Sequence, residues 1–504
     1  MTFARLLALL GCLAALFARA QAEESNVWPF YVSQHDVAGH VTSWNSGGPF
    51  FFSQPSTNPN PEFAGATVSG FRPFWVKTKD VNDQVIESAF LYPIFIYRAD
   101  RETYSWSIVD LINGSGPREG IAVLPSQTRD ETKAFDIWIF YFSRQTGSPE
   151  TSYRALFPIA GTIKNRFGHD QLSWVLWPLY FRTEKNGSVT TSTPWPFIQG
   201  TRGIEHGFAI WPLYGQLDHP ERFHRSFFLW PLGWNNTIQP NEDAPPDTPA
   251  TKQSGFLPFY TAEDRPGYTN RDYLWPFFGY TNDTKPKPYH ETRYLWPFLV
   301  QGRGQERYVN RWGPIYTHSI IRGMDKTWIL WPLWRQAKWQ ELNVDQQRSQ
   351  FLYVFYWSQT QHSLSNPQAA PAQRTHVWPL FSKWDNGAGR RQFQLFSPFD
   401  VFFPYNSEMS ETWTPLFAIY RFDRRDKDNQ RWSLLWNAVT WRKDYGEREF
   451  HLGPLFSKST SPQQGRVAVG SGLFGWKRSP GDRRWHFFWF DFSSNVKQAP
   501  LASR

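Results

Sequence analysis

Tryptophan followed directly by proline occurs nine times in this chain: at Trp28-Pro29, Trp177-Pro178, Trp195-Pro196, Trp211-Pro212, Trp230-Pro231, Trp275-Pro276, Trp296-Pro297, Trp331-Pro332 and Trp378-Pro379. Proline has no backbone N–H, so it cannot continue a helix or donate inside a central strand. Yet the segments around it are apolar, as in SFFLWPLGWNN (226–236). A looser form, with apolar residues before the proline and Leu, Phe or Ile after it, occurs at Pro93, Pro158, Pro258, Pro314, Pro415 and Pro454. From Pro158 to Pro332 most motif prolines stand 16 to 21 residues apart. Such spacing is an internal repeat.

Turn-forming residues separate the motifs. Asn186-Gly187, Asp385-Asn386-Gly387 and Pro480-Gly481-Asp482 are hairpin or turn signals, and 218–222, 281–288, 301–305 and 322–326 are similarly polar. Between turns lie apolar runs of about ten to twelve residues, many alternating with period two, which marks strands. In RQFQLFSPFDVFF, Phe393, Leu395, Phe399, Val401 and Phe403 share one parity. The chain therefore reads as an all-β antiparallel meander of about 20–25 strands, built from an 18–20-residue Trp-Pro-Leu/Phe unit. Closing on itself as a barrel-like array would remove its edges. On this reading each Trp-Pro marks a bend in a long strand, the proline fixing the bend and the indole filling it. The competing reading is a ring of exposed tryptophans that stack on a ligand.

The N-terminus has a basic start at Arg5, an apolar stretch from Leu6 to Phe17, and Ala20-Gln21-Ala22. That is the pattern of a secretory signal peptide, 1–22, cleaved to leave Glu23 first. Cys12 raises a lipoprotein reading, but the apolar stretch runs on past it. Cleavage removes the chain's one cysteine, leaving no disulfide or thiolate chemistry. Residues 23–504 then form a single repetitive domain, with long loops near 50–65, 235–254 and 359–375. Export without cysteine fits the outer membrane or periplasm of a Gram-negative bacterium.

The formal charge of +9 falls to about +7 without Arg5 and Arg19, and it is spread without a basic block, which opposes nucleic-acid binding. Aromatics make up 18% of the chain, a density that suits β-structure, a membrane interface or a carbohydrate platform. No nucleophile elbow, phosphate loop or dinucleotide fingerprint occurs. His219 and His224 fall on one turn and would need further ligands to hold a metal. Asp110, Asp136, Asp400 and Asp491 stand inside apolar segments, and paired carboxylates near aromatics are how glycosidases work. Strand alternation more simply points such residues at water or arginine, so they are candidate binding residues only.

The expected function is a non-enzymatic bacterial envelope protein, a β-barrel or β-repeat scaffold in or on the outer membrane. Outer-membrane lipid or envelope glycan would be its partner, with no cofactor or metal. An exported carbohydrate-binding or carbohydrate-active protein is the alternative. Against a spanning barrel stand strands that are apolar on both parities, the repeated proline, and a polar tail after 483–492.

Overall fold

The computed structural model describes residues 24–495 apart from 37, 119–131, 242, 246, 481 and 489. The signal peptide and its cleavage site lie outside these residues. The described residues form 46 strands, one short α-helix, Ser407–Thr412, and two short 3-10 turns. They divide into two compact units: residues 99–340 form one, and the residues up to 98 together with those from 341 form the other.

Within each unit, strands consecutive in sequence pair antiparallel. Tyr214–His219 pairs with Phe223–Phe228, placing Tyr214 opposite Phe228 and Asp218 opposite His224. Phe223–Phe228 then pairs with Gly233–Ile238. The antiparallel all-β meander expected from the repeat is the fold, but with twice the strands and with the proline placed differently. SWVLWPLYF is two strands, His169–Val175 and Tyr180–Lys185, joined by a turn through Trp177-Pro178. All nine Trp-Pro pairs lie in turns, not at mid-strand bends. A turn tolerates proline because no ladder bond is asked of its nitrogen. These Trp–Pro peptide bonds are cis.

Nothing in LWPLY spells a turn, because leucine takes the conformation usually left to glycine. Leu176, Leu229, Leu274 and Leu330 have φ between 43° and 49°, a left-handed conformation that costs a leucine about 1–2 kcal/mol. Bonds across the turn help to offset that cost: the Leu232 N–H donates to Leu229 O at 2.7 Å, and Leu333 to Leu330 at 2.7 Å. The opposite turns follow ordinary hairpin chemistry, with Asn186 and Gly187 both at positive φ.

Among the described residues no strand ladder joins the N-terminal and C-terminal parts of the chain. Side chains join them in the unit that holds both. The Asn26 amide donates to Asn437 O at 2.8 Å, Trp413 Nε1 to Tyr92 O at 2.8 Å, and Arg72 Nε to Glu411 O at 2.7 Å. Arg72 is buried with its guanidinium over the Phe52 ring, 3.2 Å from the centroid, in a cluster of Phe52, Val68 and Val76.

One sheet face carries most of the buried residues in the 99–340 unit. Phe142, Tyr153, Ala155, Ile163, Leu172 and Trp174 form a cluster there, with Trp177 packed against it. Further along, the same face is polar. The Arg293 guanidinium donates to Asp272 at 2.9 Å, Glu291 at 2.8 Å, Thr281 at 2.8 Å and Asn270 at 2.6 Å. That satisfied network offsets part of the cost of burying charge. Glycines opposite aromatics let rings lie flat: a Cβ on Gly215 would come within 2.2 Å of Phe227, and one on Gly255 within 2.3 Å of Trp234.

The insertions are shorter than their composition suggests. Strands reach Ile238 and resume at Thr251, and reach Ser363 and resume at Ala372. The first insertion runs from Pro55 to Thr67 and holds a 3-10 turn, Pro61–Phe63.

Candidate functional site

A meander has two rows of turns, one at each end of its strands, and here the two rows differ in chemistry. In the 99–340 unit, one row comprises 109–111, 138–140, 157–159, 176–179, 195–197, 211–213, 229–232, 257–259, 274–277, 296–298, 313–315 and 330–333. The other includes 186–187, 220–222, 266–267, 284–288, 305–307 and 322–323, rich in Pro, Gly, Arg, Lys and Glu. Lys287 pairs with Glu306 in this row, and on the strands beside it the His224 ring is hydrogen-bonded to Asp218. The unit with both termini repeats the pattern. Residues 28–30, 91–94, 378–380 and 435–438 form its apolar turns, opposite polar ones such as the charged 425–428 and the turn Tyr445-Gly446. Exposed apolar or aromatic side chains also occur singly among the polar turns, at Val81, Phe167, Ile204, Leu342 and Tyr445.

The apolar side chains of the first row are largely uncovered. Leu213 is 55% exposed, Phe259 58% and Ile315 64%. The strand residues beside the turns extend the band on the sheet's more open face, where Val175, Ile210, Phe228, Phe256, Trp312 and Ile329 are exposed as well. Neighbouring turns touch through rings: Phe157 lies 5.2 Å from Trp177, which lies 5.4 Å from Trp195. The tryptophans of the repeat are not alike. Trp230, Trp275, Trp296 and Trp331 are exposed, whereas Trp28, Trp177, Trp211 and Trp378 are half-buried.

The backbone of this rim is bonded from turn to turn. The Trp177 N–H donates to Pro158 O at 2.8 Å, Trp195 to Pro178 at 2.7 Å, Trp230 to Pro212 at 2.6 Å and Trp331 to Pro314 at 2.6 Å. Leu229 donates to Leu213 O at 2.7 Å, and Leu274 to Phe259 O at 2.8 Å. In the other unit Gly48 donates to Pro29 O at 3.0 Å and Ser471 to Pro454 O at 2.7 Å. At six of these turns proline contributes what it still has, a carbonyl, and in four of them a repeat tryptophan supplies the N–H, whereas Trp211, Trp296 and Trp378 donate to Phe197, Phe277 and Phe355 O. The rim exposes apolar side chains over an internally hydrogen-bonded backbone. That combination is what a low-dielectric surroundings demands.

The four candidate carboxylates stand apart. Asp110 lies in an apolar-rim turn rather than a strand, at φ 54°, and its carbonyl accepts from the Asn113 amide at 3.1 Å. Asp136 lies on Lys133–Ile137 and pairs with Arg166 at 2.7 Å. Asp400 is in a turn after the strand Arg391–Leu395, so of the alternating run 393–403 only 393–395 is strand. Hydroxyls pull the chain out of the sheet there: Asp400 accepts from Ser382 at 3.0 Å, Ser397 at 2.6 Å and Thr414 at 2.7 Å. Asp491 falls on Phe490–Asn495, opposite His486. Asp110 and Asp136 belong to one unit and Asp400 and Asp491 to the other. Among the described residues no group of three His, Cys, Asp or Glu could hold a metal.

A carboxylate cluster did escape the sequence reading. Glu87 is buried near Glu408 and Glu411. Burial first, and Glu408 second, push its carboxyl up to about 7. Glu411 accepts from the Thr57 N–H and hydroxyl and from the Ser56 hydroxyl, tying the helix to the N-terminal strands. Residues more than 300 apart in the chain meet here, which no local pattern announces. A comparison with protein-family models gives no match, and a comparison with curated proteins gives none either.

Proposed function

We infer that the protein is a non-enzymatic β-repeat scaffold of a bacterial cell envelope, lying on the outer membrane without crossing it. The observation that carries this reading is the sorting of turns, apolar and exposed at one end of the strands and charged at the other. An apolar rim rich in Trp, Phe and Leu suits the headgroup boundary, where aromatic rings concentrate. Strand length argues for lying on the bilayer. Most strands have five or six residues, and the longest described have eight, against roughly 9–11 needed to span. Their middle positions are polar on both faces, as with Arg225, Ser226, Asn235 and Asn236, which hydrocarbon would penalise. The signal-like N-terminus supports export.

Fractionation of a Gram-negative host tests this reading. The protein should sediment with outer membranes and be released by alkaline carbonate. Retention until detergent is added would mean a spanning barrel. Recovery in osmotic-shock fluid, or on insoluble envelope glycan without lipid, would favour the carbohydrate-binding alternative.

A further inference from the structure

The sheltered face of the 99–340 unit is left unfilled at one place. There Ala209 and Gly215, opposite each other on adjacent strands, present almost no side chain. Their register row continues to Gln199 on one side and to Phe227 and Trp234 on the other. The result is a groove of about 550 Å³, within the size range of small-molecule sites.

The groove is polarised along the strands. At the apolar-rim end its walls are Trp230, Pro231, Leu257, Phe227 and Trp234. One register row farther from the rim they become Thr190, Thr201, Arg225 and Asn236, with Leu217 between. Arg225 is exposed, with its guanidinium 4.3 Å from the centroid of the Phe223 ring. No carboxylate pairs with it among the described residues.

We propose that this groove binds one amphiphile with an anionic head and a single hydrocarbon chain. The chain lies along Phe227, Trp230 and Leu257, and the head meets Arg225 and the Asn236 amide. An arginine fork suits a carboxylate or phosphate equally, and the aromatic walls suit methylenes. A sugar fits less well, because it needs polar partners around its whole rim and here the wall of Phe227, Pro231 and Leu257 offers none. The apolar end opens at the rim assigned above to lipid, so an amphiphile can pass from the bilayer without crossing water. That entry route rests on the membrane reading; binding itself does not.

The test uses purified full-length protein and dansylundecanoic acid below its micellar concentration, read by energy transfer from tryptophan. Saturation at one probe per chain is expected, with displacement by dodecanoate and by dodecyl phosphate but not by neutral dodecyl maltoside. Whichever anion displaces better identifies the head. Arg225→Gln should weaken binding of the probe about tenfold, and Ala209→Trp, filling the groove, should abolish it with an unchanged circular dichroism spectrum. Non-saturating uptake, equal affinity in Arg225→Gln, or displacement by maltoheptaose would overturn the proposal. Vesicle sedimentation of the wild-type protein separates the two claims: saturable probe binding without vesicle binding sinks the rim and leaves the groove, and vesicle binding without saturable probe binding sinks the groove and leaves the rim.

Discussion

Glu24 and Arg431, 407 residues apart in sequence, form a buried ion pair in which the guanidinium Nε donates to the carboxylate at 2.9 Å. The Thr440 hydroxyl donates to the same carboxylate at 2.6 Å. The second residue of the expected mature chain is thereby fastened to the C-terminal strands. The pair ties the two parts of this unit together where, among the described residues, no strand ladder does so.

Burial alone would raise the Glu24 carboxyl, but the charge and hydrogen bond of Arg431 outweigh it and hold the group at about 2. A depressed folded-state value adds stability above the ordinary carboxylate range, and that stability is lost as pH falls from about 4.5 towards 2. Glu24→Gln should therefore cost roughly 3–5 kcal/mol at neutral pH, since one partner of a buried pair is removed. Urea titrations at several pH values should show the gap from wild type narrowing below pH 4.5. A gap independent of pH would contradict the assignment.

Glu87 should behave in the opposite sense. Its carboxyl is raised to about 7, so its contribution is fully present below about 4.5 and is lost as pH rises through 7. Glu87→Gln should leave stability unchanged in acid and raise it above neutrality by up to roughly 3 kcal/mol. Equal stability of variant and wild type at pH 8 would show that Glu87 ionises freely.

Tryptophans should divide by position and not by motif. Trp174, outside the repeat dipeptide, is 4% exposed and donates Nε1–H to Leu156 O at 3.2 Å. Trp174→Ala should cost about 3–5 kcal/mol. Trp230, in a rim turn, is 48% exposed, and Trp230→Ala should cost about 1 kcal/mol. Thermal denaturation of the two variants distinguishes them. Comparable losses would restore the view that Trp-Pro plugs a core.

The fold class was legible because strand alternation and turn chemistry repeat along the chain. Asn186-Gly187 and Asp385-Asn386-Gly387 mark turns on the polar side by their residue types alone. The strand count was not legible, because Leu229-Trp230-Pro231-Leu232 makes a turn from residues that otherwise signal strand. Its left-handed residue is a leucine, and the bonds supporting it come from the neighbouring turn at Pro212. Nor could the carboxylates be sorted. Asp136 meets Arg166 and Asp400 meets three hydroxyls through pairings that depend on register and on an excursion from the sheet. The rim became readable only when every second turn fell on the same side.

Oxidative footprinting by hydroxyl radicals, resolved by mass spectrometry with and without phosphatidylethanolamine–phosphatidylglycerol vesicles, tests the central claim most directly. Leu213, Phe228, Leu232 and Ile315 should become protected when vesicles are added, while Leu342 and Tyr445, exposed on polar turns, should keep their labelling rates. Unchanged labelling at the four rim residues, or equal protection at both rows of turns, would contradict the account.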